Sequence, residues 1–153
     1  MKSILIFFFV QRRSSLDEFI ELTFWNERSK GKFPGLLGMD FLSIKHGYVK
    51  CQLRTREELL APNGYLHAGV VVTLADTACG YGCMKSKPSD SILFTTIELK
   101  SNFMGTVKPP TVITCEAHLS HGGRTTQVWD AEVKDSEKNK KIAVFRCTQL
   151  IIY

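Results

Sequence analysis

The sequence predicts an α+β fold, one buried helix wrapped by an antiparallel sheet, and three observations carry that expectation. A proline-free run from His67 to about Ser86 is apolar on almost every side, as a helix buried all round must be. Four segments rich in β-branched and aromatic residues follow, with no second helical pattern among them. The links joining those segments are short, which favours antiparallel neighbours.

The frame is that of a single domain. A chain of 153 residues, 44% apolar and 23% charged, buries a sizeable core without disulfides or metal and is not disordered. Residues 1–15 are read as a possible extension outside that core. The net charge of +5 suits a phosphate-bearing ligand, but no basic stripe of the kind that binds nucleic acid is present. Lys138, Lys140 and Lys141, the densest basic run, read as a solvated turn. The five cysteines are odd in number and lack zinc-site or secreted-scaffold spacing. Cys79 and Cys83, four apart, read as small buried apolar residues rather than metal or redox ligands. Reduced thiols point to the cytoplasm.

Taken in order, "MKSILIFFFVQRRSS" holds seven apolar residues, Ile4 to Val10, far short of the roughly 20 that span a bilayer. It also lacks a small-x-small cleavage site, so an added strand or an extension is expected in preference to a signal peptide. "LDEFIELTFWNERS" repeats Leu16, Phe19, Ile20 and Phe24 at helical intervals, with Asp17, Glu18 and Glu21 in its first turns. "KGKFPG" ends that helix. "MDFLSIKHGYVKCQLRTR" reads as two strands about a turn at His46–Gly47, and Pro62-Asn63-Gly64 makes a further break.

In the central helix Val70, Val71, Leu74 and Ala78 fall on one side, and Val72, Ala75 and Cys79 continue around it. Its glycines and alanines lower helix propensity and make sense where a sheet presses closely. The run could instead span a membrane, but Asp76 near the centre argues against that, since an ionised group there costs several kcal/mol. The strands are expected at Ile92–Phe103, Val112–Ser120, Arg124–Lys134 and Ile142–Ile152, joined by "MGTVKPPT", "HGGR" and "DSEKNKK". His118 and His121, at the end of a strand, read as half-exposed turn residues rather than metal ligands.

Asp76 is the only charged side chain between Ala68 and Met84. Together "NGYLHAGVVVTLADTACGYGC", "FTTIELKSNFMGTV" and "HGGRTTQVWDAEV" resemble the hotdog-fold acyl-CoA thioesterases of the phenylacetate-pathway type, relatives of the hydroxybenzoyl-CoA thioesterases. Those enzymes carry His-Gly-Gly at a helix start and an acid within Leu-x-Asp inside the helix. The resemblance covers roughly Leu36 to Leu150. It implies hydrolysis of an acyl-CoA or related acyl thioester, with Asp76 as the acid and His67 as the motif histidine in an orienting role.

The backbone N–H that polarises the thioester carbonyl falls on Ala68, where the family usually has glycine. The family's upstream polar residue, commonly six positions before the histidine, meets Ala61 here, and Asn63 stands in for it. The hydroxyl that places water corresponds to Thr96 in preference to Thr95. The nucleotide end of coenzyme A falls near Gly123, Arg124 and Thr125, with Arg124 as the phosphate contact. No metal is implied, and coenzyme A enters as part of the substrate rather than as a cofactor.

Chemistry supports these assignments. The first N–H groups of a helix, here those of Ala68 and Gly69, lack intrahelical acceptors and favour developing negative charge. Asp76 can serve as general base on water or as nucleophile, and the residues leave both open. Eight helical residues separate Ala68 from Asp76, about 12 Å along the axis, whereas reacting atoms meet at about 3–3.5 Å. A site using both therefore needs two chains about a two-fold axis, as a homodimer or a tetramer. The other readings are an acyl-CoA sensor that binds without turnover, and a dehydratase acting on hydroxyacyl thioesters.

Overall fold

The computed structural model describes residues 2–153, with side chains from Leu16 onward. The elements run α1 (Lys2–Ser29), α2 (Phe33–Leu37), β1 (Met39–Lys45), β2 (Tyr48–Arg54), α3 (Ala68–Ser86), β3 (Leu93–Phe103), β4 (Val112–Gly122), β5 (Thr126–Asp135) and β6 (Lys140–Ile152). The six strands form one sheet in the order β1-β2-β4-β5-β6-β3, every neighbouring pair antiparallel. This is the expected α+β hotdog architecture, with α3 lying along the inner face.

Period-two alternation builds that face. Val49, Cys51 and Leu53 of β2, Ile113, Cys115 and Ala117 of β4, and Trp129, Ala131 and Val133 of β5 all point inward and are buried. They meet Val70, Val71, Leu74, Ala75, Ala78, Cys79 and Cys83 of α3. The close approach is real at Gly82, where an added Cβ would lie 2.5 Å from the Cη2 of the fully buried Trp129. The Trp129 indole N–H donates to Gln127 Oε1 at 2.9 Å, so the ring has little freedom to retreat. Gly82→Ala is expected to cost about 1–3 kcal/mol, seen as a lower thermal midpoint with unchanged far-ultraviolet circular dichroism.

Three expectations are corrected. The apolar run Ile4–Val10 is not an added strand: the backbone is helical from Lys2 and continuous with the segment expected to begin at Leu16. Periodicity alone does not separate a short apolar strand from helix. Next, the link after β3 does not join sheet neighbours, since β3 pairs with β6 at the sheet's edge. That link instead crosses the start of α3, where the Leu66 N–H donates to the Val107 carbonyl at 3.1 Å, and reaches β2 through Thr55 and Thr111. Finally, His118 and His121 lie toward the end of a strand as expected, but inside β4 rather than in a turn, and both are exposed.

The docked side of α1 also differs from its most regular apolar repeat. Trp25 and Ser29 are buried, while Leu16, Phe19, Ile20 and Phe24 face outward. Asn26 fixes the contact by bonding both backbone groups of Phe41, accepting from its N–H at 2.8 Å and donating to its carbonyl at 3.1 Å. Ser29 and the Tyr81 hydroxyl share a 2.9 Å hydrogen bond, and Tyr81 stacks on Phe41. Among the described residues no helix is long and apolar enough to cross a membrane.

Candidate active site

The sheet covers one side of α3 and leaves a stripe open. Gly69 is exposed, and Val72, Thr73, Asp76 and Thr77 are only half-buried, a set spaced at three and four residues along one helix face. Asp76 therefore sits on the side that the chain's own sheet does not seal. Its carboxylate accepts from Thr96 Oγ1 at 3.3 Å. Burial raises its pKa above the ordinary carboxylate value, and the Thr96 hydroxyl opposes that rise.

Thr96 faces the helix because it lies on the inward phase with Phe94, opposite Gln149 and Ile151. Phe94 pairs with Ile151 and Thr96 with Gln149, but a register shift between Thr96 and Glu98 leaves Ile97 over, after which Leu99 pairs with Cys147. Cross-strand partners share a face, so the inward positions pass from even to odd numbers at this bulge. Thr95 lies on the other phase and is exposed.

The start of α3 is built by His67. Its backbone is extended (φ −66°, ψ 134°), and its ring Nδ1 accepts from the Gly69 N–H at 2.9 Å. This is the N-cap role a Ser or Asp usually fills, and it gives His67 a fixed ring orientation. A Cβ on Gly69 would stand 2.9 Å from that Nδ1, so glycine is what admits the cap. The Val70 N–H goes to the His67 carbonyl. With those two bonded, the Ala68 N–H is the donor of the first turn left without an acceptor among the described residues. Asn63 lies one turn of chain earlier, its Oδ1 accepting from the Tyr65 N–H at 3.2 Å within the "PNGY" turn.

Gly123, Arg124 and Thr125 form the β4–β5 connection, just ahead of the observed start of β5 at Thr126. Their backbones are tied down: the Gly123 N–H donates to the Thr126 carbonyl, and the Thr125 and Arg124 carbonyls accept from the Ile151 N–H and the Tyr153 hydroxyl. The Arg124 side chain is 73% exposed, lies over the Tyr153 ring and stands 3.6 Å from Asp90. Asp90 precedes Thr96 by six residues, at most about 20 Å of extended chain. Within the chain the Arg124 guanidinium is paired with Asp90, and the Asp76 carboxylate with Thr96.

Sequence reading passed over Gln149. It is fully buried, and its Oε1 lies 3.0 Å from Thr96 Oγ1 while its Nε2 lies 3.2 Å from Cys147 Sγ. The signal was available: within "RCTQLII" the inward phase is Cys147, Gln149 and Ile151, and an amide there needs partners. The cysteines are buried and unpaired with one another by disulfide. Burial pushes the Cys83 thiol up to about 12, and a hydrogen bond with the Cys147 thiol together with burial holds Cys79 well above the usual thiol range, so neither is a nucleophile. Among the described residues no cluster of three His, Cys, Asp or Glu side chains is placed to hold a metal.

Residues 63–142 match the Thioesterase superfamily. A 1,4-dihydroxy-2-naphthoyl-CoA hydrolase of Listeria monocytogenes is 36% identical over 112 residues, covering 73% of this chain and 89% of that protein. The acyl-coenzyme A thioesterase PaaI of Escherichia coli is 29% identical over 111 residues, 72% and 75% of the two chains. The solved PaaI structure superposes with a TM-score of 0.71 at 25% identity, covering 78% of this chain and 83% of that one. A thioesterase from Pseudomonas aeruginosa, at 24% identity, shares the fold with a TM-score of 0.80 over 86% and 93%.

Proposed function

The chain belongs to the thioesterase superfamily, and from that premise we propose that it hydrolyses an acyl-CoA, or a related acyl thioester, to a carboxylic acid and a free thiol. The observation that carries this reading is the half-buried Asp76 carboxylate, held by Thr96 on the unsealed face of α3. Asp76 acts as general base on water or as nucleophile. In the first case it takes the water proton as the hydroxide adds to the thioester carbon. In the second its oxygen adds there directly, and water opens the resulting anhydride. In both, the carbonyl oxygen becomes an oxyanion and the thiolate departs as the carbonyl re-forms. The Ala68 N–H, with the helix dipole behind it, stabilises that oxyanion.

The two groups belong to different copies of the chain, because about 12 Å of helix separates them within one. The open edge supports that arrangement. β3 ends the sheet and exposes Leu93, Ile97, Leu99 and Phe103, an apolar unpaired strand of the kind proteins cover. A homodimer joined there seals the Asp76 stripe; a tetramer is compatible with the same contact. Five free buried cysteines suit a reducing, cytoplasmic setting.

Thiol release from a panel of acyl-CoAs tests the reading. Steady release from at least one member is expected. Tight binding without release would replace it with the sensor reading. In the same assay Arg124→Ala is expected to raise KM about tenfold, the worth of one charge-assisted phosphate contact, with kcat held. An unchanged KM would remove Arg124 from the ligand's nucleotide end.

A further inference from the structure

Thr96 Oγ1 carries one hydrogen, yet two acceptors face it: Asp76 Oδ1 at 3.3 Å and Gln149 Oε1 at 3.0 Å. Both contacts are hydrogen bonds at once only when the carboxyl is protonated. Asp76 then donates to Thr96, Thr96 donates to Gln149 Oε1, and Gln149 Nε2 donates to Cys147 Sγ at 3.2 Å. When Asp76 is ionised the first donor is gone, and the hydroxyl hydrogen is needed by the carboxylate. Gln149 Oε1 would then be a completely buried acceptor without a donor, which costs about 1–3 kcal/mol.

A carboxamide resolves this without moving its heavy-atom frame. Its terminal torsion is two-fold, so half a turn presents Nε2–H to Thr96 Oγ1 and Oε1 to the Cys147 S–H, a thiol being both weak donor and weak acceptor. Every bond in the row then runs toward Asp76. Neither Glu nor an apolar residue offers both ends.

We infer that Gln149 is a positioning residue for Asp76, its buried carboxamide turning end for end with the charge on the carboxylate so that the Thr96 hydroxyl points at Asp76 when it is ionised and away when it is protonated. This rests on the reading of Asp76 as the reacting carboxylate. As a base, Asp76 gains the proton that a water O–H loses; in the surrounding row no covalent bond changes and only hydrogen-bond directions reverse. The titratable groups facing Asp76 are few. Cys79 stands next to it on α3, Cys147 lies behind Gln149 on β6, and in the proposed dimer His67 of the second copy approaches from outside. Burial and the Thr96 hydroxyl are the influences acting on Asp76 within the chain.

The test uses the full-length protein labelled at Asp and Gln. The side-chain amide signal of Gln149, assigned by its loss in Gln149→Met, is expected to shift with pH at the midpoint of the Asp76 carboxyl carbon, and to stop doing so in Asp76→Asn. An amide signal flat through that midpoint, or a shift that persists in Asp76→Asn, would overturn the inference. In kinetics Gln149→Met is expected to lower kcat about tenfold with KM unchanged and to move the acid limb of the pH profile upward. Added to Thr96→Val, it should cost nothing further. An equal loss in that background would mean a packing role and reject the coupling. Full turnover by Asp76→Asn would instead remove the catalytic reading, while the shared midpoint still decides the behaviour of the amide.

Discussion

Asp76→Asn is expected to lower acyl-CoA turnover about 10²–10⁴-fold, the usual contribution of a positioned proton acceptor, while raising the thermal midpoint. The two effects have one origin. Burial raises the folded-state pKa of Asp76 above its unfolded value, so the folded protein favours the protonated form. The sign follows from linkage. Stability from this group is fully present below the unfolded pKa and is lost as pH rises toward the folded one, so at neutral pH the ionised carboxylate is a burden. Asparagine keeps the shape, can still bond Thr96 and carries no charge to desolvate. Activity needs the ionised form, so wild-type turnover should fall away on the acid side at a pH above the ordinary carboxylate range. Thiol release and thermal unfolding of the two proteins check both halves; an active Asn variant would eliminate Asp76 as the reacting group.

Ala68→Pro is expected to lower kcat about 10²–10³-fold, the cost of one oxyanion donor, with the fold retained. Position 68 is the first residue of α3, where proline is tolerated because the N–H has no intrahelical acceptor. The preceding residue must then be extended, and His67 already is, at φ −66° and ψ 134°. The substitution thus deletes one hydrogen-bond donor and little else, and unchanged circular dichroism would say so. A mixture of the two inactive proteins, refolded together, gives a sharper result. Each mixed dimer contains one site with an intact Asp76 and an intact Ala68 N–H, so about a quarter of wild-type turnover should return. No recovery would place both groups in one chain and refute the shared site.

Much of this was legible in the residues. The buried helix was found within a residue of its ends, because its apolar run is bounded by Pro62-Asn63-Gly64 and Pro88. The hairpin of β1 and β2 followed from His46-Gly47, and family pattern singled out Thr96 as a hydroxyl that places water, though not its contact with Asp76. The place of β3 was not legible: link length does not say that residues 104–111 cross the start of α3 and come down beside Thr55. Nor does spacing tell which side of α1 docks. That side is chosen by Asn26 fitting the Phe41 backbone, a contact between residues far apart in sequence. Gln149 escaped for the same reason, since its meaning depends on Thr96 across the ladder.

The spare residue at position 97 has an odd property. Thr96 pairs with Gln149 and Glu98 with Thr148, which is the pairing an uninterrupted ladder would have if Ile97 were absent. Excising it would leave every partner on both sides unchanged. What Ile97 supplies is therefore the local bend and added twist of a bulge, together with one more apolar side chain on the open rim of the sheet.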